Sequence, residues 1–227
     1  MARFLRPLPD GSIRQFALVH RLFVTPVLPR SRRLRRLLQL YAGLHLYGVS
    51  GALLITADLG AMPWDVLHQG LSLRTGLSIG TWSVIVGAAV MLLWIPLRQR
   101  PGLGTVSNVV VVGLSVDYTL WWLPGMEGPV ARSASLVTGI VLTALATSCY
   151  IGVRLGSGPR DGLMTGLAAK GFSIRAARTG IEVAVVATGF LLGGTVGVGT
   201  LLFAAAIGPL TQAFLPVMAI PESSTPA

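Results

Sequence analysis

Two short segments carry the residue types best placed to do chemistry. Leu59-Gly60-Ala61-Met62-Pro63-Trp64-Asp65 and Leu155-Gly156-Ser157-Gly158-Pro159-Arg160-Asp161 each set a proline two residues before an aspartate, behind one or two glycines. Proline at the first helical position gives up an amide that has no intrahelical partner, and an acid in the first turn favours the positive end of the helix dipole. Both segments therefore read as abrupt helix starts after a tight turn. Amides left free at such starts can hold an anionic group, and the aspartates can hold a proton or a cation. On that reading Gly60, Pro63, Asp65, Gly156, Gly158, Pro159 and Asp161 form the substrate-binding set. The plainer reading is that each aspartate caps its own helix and the glycines only allow packing. Trp64 and Arg160, which share a position in the two segments, read as anchors at opposite membrane surfaces.

Two further acids, Asp117 and Glu182, fall inside long apolar stretches. An ionisable group there costs about 2.5 to 3.5 kcal/mol on insertion scales unless it faces protein or water, so both are candidates for a coupling ion or proton. Glu182 can instead pair with Arg178, four residues earlier. His45 reads as a hydrogen-bonded packing residue. No His-Glu-x-x-His, nucleophile elbow, P-loop or paired His or Cys ligands occur, so neither an enzyme, a metal site nor a cofactor is expected. Gly102-Leu103-Gly104 and Gly197-Val198-Gly199 read as flexible helix entries.

The elements that must position these groups follow from composition. Of 227 residues, 52% are hydrophobic and 11% charged, with a mean hydropathy of +0.71. A soluble domain carries about 25% charged residues, so this chain has too little polar surface to face water. The lone Cys149 makes no internal disulfide. Six stretches reach the roughly 20 apolar residues needed to cross hydrocarbon: about 38–58, 79–97, 104–123, 134–153, 176–194 and 198–218. None alternates as a barrel strand would. The fold class is all-α and polytopic.

The formal charge of +10 would suggest nucleic acid if read alone. Nine arginines fall within residues 1–36, however, and the remainder is nearly neutral. The basicity is therefore an orientation signal, with the lipid bilayer as partner and no nucleic acid. Residues 1–36 read as an Arg-rich cytoplasmic tail, or as a basic segment lying on anionic lipid. Its apolar run, Phe16 to Val24, is broken by His20 and Arg21, unlike a signal peptide. Arginine and lysine flanking the later spans place both termini in the cytoplasm. The membrane domain is 37–218, and 219–227 is a short C-terminal tail.

Shifting the chain by 96 residues lays Leu59 to Leu71 on Leu155 to Leu167 with seven of thirteen positions identical. With a one-residue slip the match continues through Gly102 to Thr105 on Gly197 to Thr200, and Gly113 on Gly208. This is the signature of a duplication, with repeat 1 at about 37–124 and repeat 2 at about 133–218. Each motif helix, roughly 20 Å long at about 13 residues, is too short to cross. Each half then crosses three times, and the halves are inverted. A crossing motif helix would instead put Arg98 and Arg100 outside.

The run Arg36 to Leu44, the segment Gly60 to Leu71, the block Pro96 to Thr105, the segment Gly158 to Leu167 and Gly194 to Thr200 together resemble the YczE membrane proteins of bacteria, relatives of the YitT group. The resemblance spans about residues 35 to 218. It implies a multi-pass protein of the bacterial cytoplasmic membrane and brings no activity with it. Two functions fit: a small secondary transporter or channel for a small polar or ionic solute, or a membrane scaffold or regulator that binds a protein partner and moves nothing. The sequence does not specify an oligomeric state.

Overall fold

The structure is a computed structural model that describes residues 32–221; the expected tail up to residue 31 and the last six residues lie outside the described residues. Nine helices follow one another there, with no strand: α1 (Arg33–Ala57), α2 (Pro63–Thr75), α3 (Ile79–Leu92), the single turn α4 (Trp94–Leu97), α5 (Leu103–Trp122), α6 (Gly128–Gly152), α7 (Pro159–Ala169), α8 (Ile174–Leu191) and α9 (Val198–Met218). Helix α6 starts about six residues before the expected span.

Five of these segments are long and apolar enough to cross a membrane: α1, α3 with α4, α5, α6 and α9. The expected sixth span, α8, falls short by composition, because Arg175, Arg178 and Glu182 occupy its first half.

Lipid is as apolar as leucine, so helices in a membrane associate through close packing and polar contacts rather than through the hydrophobic effect. The central pair obeys this. Helices α1 and α6 run antiparallel: a Cβ on Gly43 would sit 2.8 Å from Cys149 Cβ, and one on Gly139 2.8 Å from Leu54 Cγ. Between those points the Thr143 hydroxyl donates to Ser50 Oγ at 2.9 Å.

Helix α5 lies along α1 in the same direction, joined by Tyr41 to Ser107 at 3.2 Å and His45 to Ser115 at 3.0 Å. Helix α9 runs with α6 in the same sense, Ser148 reaching the Thr211 carbonyl and Gly152 lying against Met218. A crossing α2 would make α1 and α5 antiparallel. Instead Asp65 Oδ2 is 3.1 Å from where a Cβ on Gly51 would be, so α2 starts about 9 Å below the end of α1 and climbs back.

The start of α1 is pinned to the far ends of α6 and α9. Arg36, 1% exposed, donates to the Val153 carbonyl at 2.7 Å, and Gln39 Nε2 to Met218 at 2.7 Å and Cys149 at 3.1 Å. Arginine there meets carbonyls that a helix C-terminus leaves open. Residues 33–36, assigned to the tail by charge, thus belong to the membrane body. Ile220, assigned to the C-terminal tail, is fully buried, with its amide on the Gly152 carbonyl.

The two turns before α2 and α7 are held in one way. Gly199 N donates to the Leu59 carbonyl at 2.7 Å and Thr200 Oγ1 to the Ala61 carbonyl at 2.9 Å. Gly104 N donates to Leu155 at 2.8 Å and Thr105 Oγ1 to Ser157 at 2.7 Å. The start of the last helix in each half therefore grips the turn of the other half. The glycines of the runs 102–104 and 197–199, expected to be flexible entries, are also contact surfaces, because a Cβ at any of them would press on the gripped turn.

Gly60 and Gly156 adopt φ of 115° and 123°, and a Cβ would fall 2.6 Å from Gly197 N and 2.7 Å from Thr105 Oγ1 respectively. Positive φ alone costs a side chain on the order of 1–3 kcal/mol. Gly60→Ala and Gly156→Ala should each lower stability by at least that amount, read as a drop in apparent Tm in detergent. Gly180→Ala, helical with open space around it, should be neutral or gain up to about 1 kcal/mol.

Candidate functional site

Because each turn is held from the opposite half, α2 and α7 both begin inside the bundle and point their N-terminal ends at one another. Proline stands first in each helix, after Met62 and after Gly158. Neither preceding residue has a side chain that caps; the Asp65 and Val66 amides turn back to the Met62 carbonyl and the Gly162 amide to the Gly158 carbonyl, so what each end presents to the junction is mainly the positive end of its dipole.

The ends meet at Trp64 and Arg160. The Arg160 guanidinium carbon stands 5.0 Å from the centre of the Trp64 ring, within cation–π range, and Trp64 is 7% exposed. This corrects the reading of these two residues as anchors at opposite surfaces. Both helices start at depth, so their matching positions face each other across the middle of the bundle. Tyr47 of α1 and Tyr150 of α6 stand beside them with ring centres 6.2 Å apart.

A cavity of about 300 Å³ opens on this junction, with Tyr47, Tyr150, Arg160, Asp161, Arg178 and Glu182 among its polar walls and Phe203, Ile207 and Gly208 of α9 opposite. A narrower pocket of about 60 Å³ continues on the other side of Tyr47, Trp64 and Arg160 toward Ser83 and Asn108. Asp161 Oδ2 accepts the Tyr150 hydroxyl at 2.9 Å, and Arg178 donates to Glu182 at 3.0 Å. Arg160 forms no ion pair among the described residues.

The sequence-derived candidates separate into groups. Pro63, Gly158, Pro159, Asp161 and Glu182 line these cavities. Gly60 and Gly156 form the gripped turns and line neither. Asp65 is buried behind Trp64: its Oδ1 is 3.1 Å from His68 Nδ1, while its Oδ2 and His68 Nε2 have no partner among the described residues. Asp117 lies away from the cavity at the start of α3, accepting the Ser78 hydroxyl at 2.5 Å and the Gly80 amide at 2.7 Å. Both of its oxygens are engaged in holding that helix end.

Sequence reasoning passed over Tyr47 and Tyr150, and gave Arg160 the wrong place. A tyrosine hydroxyl in the middle of an apolar span was the available signal, since such a group needs a partner there.

A chain of packed apolar helices with two short helices starting in the interior is a polytopic all-α membrane protein. Residues 34–216 match the family described as "Family of unknown function (DUF6198)", and the chain belongs to that family. It is 41% identical over 177 residues to an "Uncharacterized protein" of Haemophilus influenzae, covering 78% of this chain and 81% of the relative. It is 31% identical over 179 residues to the "Uncharacterized membrane protein YczE" of Bacillus subtilis, covering 78% and 83%, so the YczE resemblance holds. The "Uncharacterized protein YyaS" of the same organism is 26% identical over 183 residues. No solved structure matches.

A buried cation–π contact contributes about 0.5–2 kcal/mol. A double-mutant cycle of Trp64→Leu and Arg160→Gln, measured by thermal unfolding, should return a coupling in that range. Additive effects would mean that the two side chains do not touch.

Proposed function

We propose that the chain is a small secondary carrier of the bacterial cytoplasmic membrane, built as two inverted three-span repeats, that moves a polar solute bearing an anionic group. The observation that carries this reading is the charged cavity between the starts of α2 and α7. A closed, apolar junction would have favoured a scaffold; a polar chamber enclosed among spanning helices suits a transported solute.

Arg160, stacked on Trp64 and without an ion pair among the described residues, is the group that receives the anion, helped by the positive helix ends. Asp161 and Glu182, both on the cavity wall, are the coupling groups. Asp117 is a weaker candidate because two donors already occupy it. Helix α8 is the sixth span: the Arg178–Glu182 pair faces the cavity, which lessens the cost of charge in its first half. The arginines of residues 1–36 then set both termini in the cytoplasm.

The test uses purified protein in proteoliposomes offered monocarboxylates, dicarboxylates and inorganic phosphate, with solute-driven current as the readout. One charge-assisted hydrogen bond contributes about 1.5–3 kcal/mol, so Arg160→Gln and Asp161→Asn should each cut the current more than about tenfold. Arg132→Gln, in a partly exposed pair with Asp58, should leave it unchanged. Absence of current for every solute, or equal currents in all variants, would refute the carrier.

A further inference from the structure

The two halves close differently around the junction. In the first, α3 lies flat on α5: a Cβ on Gly113 would sit 2.6 Å from the Gly80 carbonyl oxygen, and one on Gly87 3.3 Å from Val109. The offset that lays Gly113 on Gly208 also lays Gly87 on Glu182 and Val109 on Ala204. A Cβ on Gly208 would meet nothing within 4 Å. Where glycine and valine lock together in the first half, the second has a charged side chain turned to the cavity and an alanine too small to replace the contact. Helices α8 and α9 barely touch.

Between them runs a crevice of about 450 Å³ walled by Val183, Val186, Ala187 and Phe190 of α8 and Leu201 and Ala204 of α9. Its outer lip is exposed at Val183, Phe190 and Leu201, which face lipid with α8 as the sixth span of the carrier reading. Its inner end is the polar cavity: Pro63 and Glu182 line both spaces.

We propose that this crevice is a lateral passage from the bilayer into the cavity, and that the solute is an anionic amphiphile of the fatty acid or lysolipid class. Its head group lies at Arg160 and its apolar chain between α8 and α9. Three features select this occupant. The crevice walls are almost wholly apolar, so a small ion gains nothing by entering them. Arg160, which forms no ion pair within contact distance among the described residues, stands in the cavity into which the crevice leads. Pro63 and Glu182 line both spaces, so one molecule with a charged head and an apolar chain fills the cavity and the crevice together. The inference rests on the carrier reading for the role of Arg160 and narrows its solute.

Trp64 reports on the junction. Protein in phosphatidylcholine nanodiscs is titrated with a fatty acid carrying a nitroxide, a fluorescence quencher, either near its carboxylate or near its methyl end. Subtracting the response of Trp64→Phe isolates Trp64 from the other four tryptophans. The near-carboxylate probe should quench Trp64 more strongly than the methyl-end probe. That preference should disappear in Arg160→Gln, and all Trp64 quenching should be lost in Ala187→Phe/Ala204→Phe, which fills the crevice. Ala205→Phe, on α9 but outside the crevice, should behave as wild type and controls for a bulky substitution on that helix. Equal quenching by both probes in the wild type, or quenching that survives the filled crevice, overturns the proposal. Solute currents that persist beside that result leave the carrier standing without the side passage. Head-first quenching without any current removes the carrier and keeps the amphiphile site.

Discussion

Everything in the interior depends on satisfying two short stretches of non-helical backbone where water cannot reach them. An unpaired amide or carbonyl in hydrocarbon costs several kcal/mol, so irregular chain at that depth persists only when protein supplies its partners. Here the partners are reciprocal. Thr200 and Gly199 hold the turn before α2, and Thr105 and Gly104 hold the turn before α7. Each half is thus incomplete without the other. The glycines at 60 and 156 follow from the same constraint, because only a residue without a Cβ permits the gripping helix to come so near.

With the turns fixed, the centre follows. Two helices that start at depth and run to opposite sides must bring their positive ends together, and an empty junction of that kind would favour an anion. The protein fills it with an aromatic ring and a guanidinium stacked on each other, with two tyrosines and the carboxylate of Asp161 beside them. The charges are mixed and the space is not closed. On the carrier reading proposed above, this chamber is where the solute passes and the seam between α8 and α9 is where it enters.

Much of the frame was legible in the residues. Hydropathy located five spanning segments to within a few residues at most of their ends, and the Pro-x-Asp spacing located the starts of α2 and α7, because both signals are local. Two things were not legible. Trp64 and Arg160 were assigned to surfaces because a short helix read alone has no depth, and only the gripping contacts from the opposite half set it. Asp117 looked like a functional acid because a charge in a span is costly, yet the cost is met by Ser78 and Gly80, about 38 residues away in sequence and unpredictable from it. The loose seam likewise depends on Glu182 and Ala204 standing where Gly87 and Val109 interlock, a difference in packing that leaves the hydropathy pattern nearly unchanged.

The meeting of the two motif helices is the claim on which the rest stands, and chemical cross-linking measures it. In a Cys149→Ser background, cysteines are introduced at positions 64 and 160 and treated in native membranes with a short bifunctional thiol reagent, and linkage within one chain is read after cleavage of the 125–128 loop. The account predicts efficient linkage between the two positions, as neighbours in the centre of the bundle. Two cysteines that remain unlinked, each labelled by a membrane-impermeant thiol reagent from a different side, would place the helix starts at opposite surfaces and contradict it.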